Sequence, residues 1–300
     1  GRRDLIWTED GSYYYDPAFK DECMRLYQAF KDGDQQFIDD YRFVWLGFLK
    51  DEYRKKEKVE SNKTRVIFAN SVVFAVVFRM MYGCLYGQWN RLSNRSIFSV
   101  GMNINSYDAQ GLYEYMVDRG YDRFIAGDYS SFDKHYHPEF QKYSYSVIKH
   151  FASKIPGFSD KAWDLFVKHE ITPLVQMDDA LVCFKHCHLS GCFFTTHENC
   201  IQNCLYFMWV FNQLYPSKKF FDNVIAAFLG DDHLLSVSND VPDFNSITVY
   251  EKMKEIGQIY TNEDKTIPVV PYKAFDECSY LGSTFVKVHR SEERRVGKEC

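Results

Sequence analysis

Two adjacent carboxylates, Asp231 and Asp232, sit in "AAFLGDDHLLSV" between two apolar runs. A hairpin turn accounts for one Asp beside Gly230, because Gly-Asp pairs favour tight turns. It does not account for two, since unit charges about 4 Å apart at a half-buried site repel by roughly 4 kcal/mol. Taken alone, the segment fits a turn and a metal site equally well. A second acidic strand end, Asp128 in "RFIAGDYSSFDKHY", with Asp133 five residues on, favours the metal. If that strand lies beside the first strand of the hairpin, Asp128 and Asp231 converge on one edge. Hard oxygen ligands there suit Mg²⁺, with Mn²⁺ as a substitute. Two such ions about 4 Å apart would clamp an in-line phosphoryl displacement.

Two further groups could serve that chemistry. In "SGCFFTTHENCIQN", Ser190-Gly191 forms a flexible loop before a helix that starts near Thr195. Asn199 and Asn203, four apart, share one helical face, where amides serve as solvated polar groups or as ligands. The stretch Lys50–Arg65 holds seven basic residues, among them Lys50, Arg54, Lys58 and Arg65, against four acidic ones. A charge run is ordinarily a solvated face. Bracketed by apolar strands, this one could hold cations for phosphates, Arg as a bidentate partner and Lys as a point charge.

The elements that must position these residues follow from local signals. Asp16-Pro17 starts a helix that runs to about Phe30. "FVWLGFL" reads as a strand, and Val66–Phe78, a 13-residue apolar run, as one buried element too short to span a bilayer. Ser106 or Asp108 caps a helix toward Arg119, closed by Gly120 before the strand "RFIAGD". Pro138–Phe151 and Asp160–Glu170 read as helices, and "PLVQMDDALVCFKHCHL" as two strands turning at Asp178-Asp179. Thr195 or Thr196 caps a long helix striped by Ile201, Leu205, Met208 and Trp209. The acidic hairpin, an amphipathic helix over Ile247–Tyr260 and a strand pair around "SYLGSTFVKV" complete an α+β pattern.

Composition agrees with a packed globular protein: 46% hydrophobic and 18% aromatic residues. A formal charge of −5 rules out a uniformly basic nucleic-acid coat and leaves room for a local basic site. The nine cysteines form no disulfide framework, and "GRRDLIWTEDG" has no apolar signal core, so a reducing cytosolic setting is expected. In "CFKHCH", Cys183, His186, Cys187 and His188 invite a zinc reading, but side chains on a strand split between faces and no second ligand pair lies at finger-like spacing. The last residues, "RSEERRVGKEC" (290–300), read as a frame-translated sequencing adapter and are expected to be a non-native tail.

Asp-x4-Asp, then Ser-Gly-x3-Thr-x3-Asn, then Gly-Asp-Asp resembles, in this order, the RNA-dependent RNA polymerases of picorna-like positive-strand RNA viruses. The resemblance covers nearly all of residues 40–289. It implies a right-hand polymerase fold in which the palm carries a small antiparallel sheet backed by helices. Fingers would take residues 1–89 and 166–187, and the palm 90–165 and 188–289, with the N-terminal fingertips incomplete and the thumb missing. By the same resemblance Asp128 and Asp231 are metal ligands and Asp232 assists them. Asp133 and Asn199 sense the ribose 2′-hydroxyl, supported by Ser190 and Thr195. Lys50, Arg54, Lys58 and Arg65 match the basic element over the entering triphosphate, and in "NEDKT" Lys265 matches the lysine that protonates pyrophosphate. "YLGSTFVKV" matches the primer-gripping hairpin, with Gly282 and Ser283 where many relatives carry a basic residue.

The implied reaction is attack of an RNA 3′-hydroxyl on the α-phosphorus of a nucleoside triphosphate, with pyrophosphate released. The implied partners are RNA template and primer, nucleoside triphosphates, a protein primer and other viral replication proteins. No membrane anchor is expected in the chain, so membrane-associated replication complexes in the host cytoplasm would be reached through partners. One rival is a reverse transcriptase, with Phe132 as the nearest aromatic that could gate a sugar. The other is a truncated module that binds RNA or replication partners without turnover.

Overall fold

The computed structural model describes residues 16–53, 56, 60, 64–92, 96–185, 188–288 and 292–297. Along the first half lie α1 (Pro17–Asp32), α2 (Gln35–Tyr41), β1 (Val44–Leu49), β2 (Val66–Ala69), α3 (Val72–Arg91), α4 (Asp108–Val117) and β3 (Arg123–Tyr129). Next come α5 (Pro138–Ala152), α6 (Asp160–Ile171), β4 (Leu174–Met177), β5 (Ala180–Cys183) and α7 (Thr195–Leu214). The last part holds α8 (Phe220–Asn223), β6 (Val224–Leu229), β7 (Asp232–Val237), α9 (Ser246–Glu255) and β8 (Tyr260–Thr261). It ends in β9 (Ser279–Tyr280), β10 (Ser283–Val288) and β11 (Glu292–Gly297). The mixture is the α+β class the sequence predicts.

The chain divides into two units, Gly1–Tyr86 with Ile148–Thr195, and Gly87–Val147 with Thr196–Cys300. The expected division left 148–165 and 188–195 with the other part. They group with the first unit because its core is aromatic and Trp163, Phe193 and Phe194 belong to it. Trp163 packs on Tyr82 at 5.2 Å and Phe193 on Phe78 at 5.1 Å.

In the first unit the side chain of Asp16 accepts from the Phe19 N–H at 2.9 Å, and Gly33 closes α1 in the left-handed conformation. The sheet has the order β2-β1-β4-β5, parallel only between β1 and β4. The apolar run 66–78 is not one element. Asn70 Oδ1 takes the Ser71 N–H at 2.7 Å, ends β2 and lets Ser71 start α3, whose Ala75 N–H reaches the Ser71 carbonyl. By length and composition α3 could cross a membrane. Its Phe74, Phe78 and Tyr82 repeat every four residues and bury one face against Phe166 of α6.

The second unit is built on an antiparallel sheet of order β6-β7-β3-β8. Alternate residues feed two cores. Ile125, Ala226, Phe228, Leu235 and Val237 face α7 and α9, while Phe124, Ala126, Ile225, Ala227 and Leu234 face α4 and Phe275. A sheet covered on both sides reads as unbroken apolar sequence, which is why the runs around Asp231 and Asp232 show no polar alternation. The expected helix to Tyr260 stops at Glu255, and Tyr260–Thr261 instead pairs with Asp128–Tyr129. β9 and β10 join through Leu281 and Gly282, both at positive φ, as a two-residue hairpin turn requires. β11 pairs antiparallel with β10, from Ser283↔Gly297 to Val288↔Glu292.

Candidate active site

Gly230, at φ 64, turns the chain so that β6 ends at Leu229 and β7 begins at Asp232. The strand bearing Asp128 does not lie beside the first strand of this hairpin, as expected, but beside the second: β3 pairs with β7 from Arg123↔Val237 to Gly127↔His233. One further register step sets Asp128 opposite Asp232, with Asp231 in the turn beyond. The convergence therefore survives the change of neighbour, because the turn is tight and both carboxylates sit at the same end of the sheet. On the other side of β3, Gly127 makes room for the close approach of β8. A Cβ there would stand 2.3 Å from Tyr260 Oη and 2.7 Å from the Thr261 carbonyl.

The turn is held from beneath by α7. Asn203 Nδ2 donates to the carbonyls of Gly230 (3.1 Å), Asp231 (2.9 Å) and Asp232 (3.4 Å), and its Oδ1 accepts from Tyr129 Oη at 3.0 Å. Cys200 Sγ takes the Gly230 N–H at 3.1 Å, and burial pushes that thiol up to about 12, so it stays protonated. On the other side His233, buried and lowered to about 4 by desolvation, bridges Asp231 O and Tyr260 Oη as a neutral ring. The spacing places Asn203 on the same helical face as Asn199 without assigning it a role, and the part played by Cys200 has no signal in the sequence. The available signal was an amide buried in an apolar stripe, four residues from Asn199.

The electrostatics show charge in want of a partner. Loss of hydration raises Asp232 to about 6, with Asp231 and Asp128 adding to the shift and Lys265 opposing it. Asp231 keeps solvent access yet is also raised, first by partial desolvation and then by Asp128 and Asp133, against its own backbone N–H and Lys265. Lys265 supplies the positive charge: its Nζ forms an ion pair with Asp128 Oδ2 and donates to the Tyr129 carbonyl at 3.3 Å. Its backbone is left-handed at φ 69, locked in a turn by Lys265 N–H to Asn262 O (3.0 Å) and Asn262 N–H to Thr266 O (2.9 Å).

The remaining expected site residues fall in two groups. In the second unit Asp133 is exposed on the loop after β3, and Asn199 on α7 accepts from Tyr136 Oη at 2.5 Å. Phe132 is buried against Tyr129 and Tyr206, so its ring is not presented as a sugar gate. In the first unit Ser190 Oγ accepts from the Phe68 N–H at 3.4 Å, and Thr195 Oγ1 donates to Cys192 O at 2.7 Å. Gly191 between them passes so close to Phe68 that a Cβ would sit 2.3 Å from its carbonyl. Lys50 and Arg65 both reach Glu52, at 3.0 and 3.1 Å, a partner the sequence reading did not assign. Arg54 and Lys58 lie outside the described residues, as do His186 and Cys187 of the zinc reading. Cys183 is exposed and His188 buried.

Three carboxylates thus meet at one sheet end, with a lysine on one of them and an amide-clamped turn beneath the other two. The chain matches the profile of the family described as viral RNA-dependent RNA polymerase over residues 23–297. It belongs to that family. This polymerase-family chain is 32% identical over 268 residues to the replicase polyprotein of Cricket paralysis virus, a stretch covering 82% of the chain and 15% of the polyprotein. It is 28% identical to the replicase polyprotein of Acute bee paralysis virus over 299 residues, 92% of the chain and again 15% of the polyprotein. Among solved structures it matches the Sicinivirus 3Dpol RNA dependent RNA polymerase with a TM-score of 0.76 at 21% identity, over 99% of this chain and 60% of that one. The chain thus spans a small part of the polyproteins and somewhat over half of the solved polymerase. The fold is that of the right-hand viral polymerases.

Proposed function

We propose that this chain carries the catalytic part of an enzyme that adds ribonucleoside monophosphates to an RNA 3′-hydroxyl. The observation behind this reading is the register ending at Gly127↔His233, which makes Asp128 and Asp232 the next residues of neighbouring strands, with Asp231 in the tight turn beside them. The donor set fits a divalent ion: hard carboxylate oxygens of Asp231 and Asp232, raised first by loss of hydration and further by the neighbouring carboxylates. Among the described residues no three such side chains close into a finished cage. Mg²⁺ does not need one, because it keeps waters and substrate phosphates in its shell. Asp128, Asp231 and Asp232 would hold Mg²⁺, or Mn²⁺ in its place, which when bound supplies Lewis-acid stabilisation of charge at the reacting phosphate.

The chain's own side chains supply the rest. Lys265, poised on Asp128, is the proton donor to the pyrophosphate leaving group. Asp133 and Asn199 hydrogen-bond the ribose, so a substrate lacking the hydroxyl leaves them unpaired, which is the basis of strong rejection. Lys50, Arg54, Lys58 and Arg65 bind the triphosphate, and Ser190 and Thr195 shape the loop before α7. Residues 1–89 with 166–187 act as fingers and 90–165 with 188–289 as palm, so that 148–165 and 188–195 are palm segments grouped by their packing with the first unit. RNA template and primer, nucleoside triphosphates and a protein primer are the partners, and membrane-associated replication complexes in the host cytoplasm are the place.

The test is Mg²⁺- or Mn²⁺-dependent nucleotide addition on a primed RNA, with this chain alone and fused to a thumb from a close relative. Ribonucleotide addition that disappears in Asp231→Ala/Asp232→Ala is the expected result. No addition by the folded fusion protein overturns the reading and leaves a module that binds RNA without turnover.

A further inference from the structure

We propose that Asn203 is the positioning residue of the carboxylate turn. It would fix where Asp231 and Asp232 stand relative to Asp128; the inference deepens the polymerase reading and rests on it. Three peptide carbonyls in succession, those of Gly230, Asp231 and Asp232, point at one side-chain amide. Carbonyls only accept, so Nδ2 must face them and Oδ1 must face away, which is where the Tyr129 hydroxyl donates. The orientation of the amide is thereby settled by chemistry.

Tyr129 directly follows Asp128. The amide therefore ties the strand that carries one carboxylate to the turn that carries the other two. Asn203 is fully buried, and a buried amide without partners is costly, so the contacts are made with little freedom to move. The turn needs such a hold because Gly230 at φ 64 has no side chain to restrict its peptides. With Cys200 on the Gly230 N–H, α7 grips the turn by both its donor and its acceptors. The Asp231 and Asp232 side chains are left to the site.

Two variants test this. Asn203→Leu removes the amide at similar volume, and Tyr129→Phe, milder, removes only the hydroxyl that orients it. Hydrogen exchange of the folded variants should show faster exchange in peptides spanning Gly230–His233 with little change elsewhere. Mn²⁺ titration followed by electron paramagnetic resonance should show affinity weakened roughly tenfold or more in Asn203→Leu, and less in Tyr129→Phe. In nucleotide addition the two variants should lose rate with ribo- and 2′-deoxynucleotides alike, leaving their ratio as in the parent. Unchanged exchange at the turn in both variants overturns the clamp. Faster exchange with parental Mn²⁺ affinity overturns the positioning role, and a shifted ribo-to-deoxy ratio reassigns Asn203 to sugar sensing. If the parent itself binds no Mn²⁺ that Asp231→Ala/Asp232→Ala abolishes, the polymerase reading fails and takes the positioning role with it. The exchange result still separates the two failures.

Discussion

In the second unit Asp231 and Asp232 ride on backbone whose register is set by two neighbouring strand pairings and whose turn is hydrogen-bonded to a buried helix. In the first unit Lys50 and Arg65 are joined by a backbone hydrogen bond of 2.8 Å, but their partly exposed heads meet Glu52 through side-chain ion pairs. The carboxylates sit where their charge is disfavoured and are kept there by structure, while the cations sit where solvent already accepts them. A reaction that depends on charge placed before the substrate arrives needs the first arrangement, since reorganisation at the moment of reaction costs rate. Attracting a flexible polyanion tolerates the second.

The sharpest way to break the comparison is Asp232→Asn. Nucleotide addition should fall by about 10²–10³-fold, the usual scale for losing a preorganised electrostatic group. Stability should move the other way. In the folded metal-free protein Asp232 titrates near 6, above its ordinary 3.8, so the folded state holds its proton more tightly than the unfolded one. Its contribution to stability is full below 3.8 and is lost as pH rises through 6. Thermal melts in a chelator should therefore show the variant more stable than the parent above pH 6, with the gap closing as pH falls toward 3.8.

A smaller effect is expected from Lys265→Leu. The loss of a general acid should lower kcat by about 10²-fold, with KM for the nucleotide little changed. Steady-state kinetics on the primed template would check that split, and a large rise in KM with kcat preserved would assign Lys265 to binding. The smallest effect belongs to the first unit. Glu52→Gln releases Lys50 and Arg65, and because ion pairs whose cations stay open to solvent are worth about 1 kcal/mol, KM for the nucleotide should fall by about fivefold. The gain should shrink with added salt. A change as large as that at Asp232 would mean that the two regions are held alike after all.

Much of this site was legible from local signals. A carboxylate pair after Gly230, a third at the end of an apolar run and an Asn pair four apart on a helix are features of spacing, and spacing survives folding. The apolar strands of the second unit were also readable, because a sheet covered on both faces has no polar alternation to hide it. Less was legible where one side chain decides between two elements. The run 66–78 reads as continuous apolar sequence, yet the Asn70 side chain bonded to the next N–H divides it into β2 and α3. The helix expected to reach Tyr260 ends early because Tyr260–Thr261 gains a partner in Asp128–Tyr129, distant in sequence.

The sequence by itself determined the chemistry of the protein: which residues are carboxylates, that Gly230 can turn between two of them, and the motif order that marks the family. Local spacing carries this information because turns, caps and strand faces depend on residues a few positions apart. Tertiary structure alone decided that β7 rather than β6 adjoins Asp128, that Lys265 rests on Asp128, that Glu52 gathers Lys50 and Arg65, and that Asn203 grips the turn. Each of these is a contact between segments far apart in the chain, selected by how whole faces bury against one another, and no short stretch of sequence contains that choice.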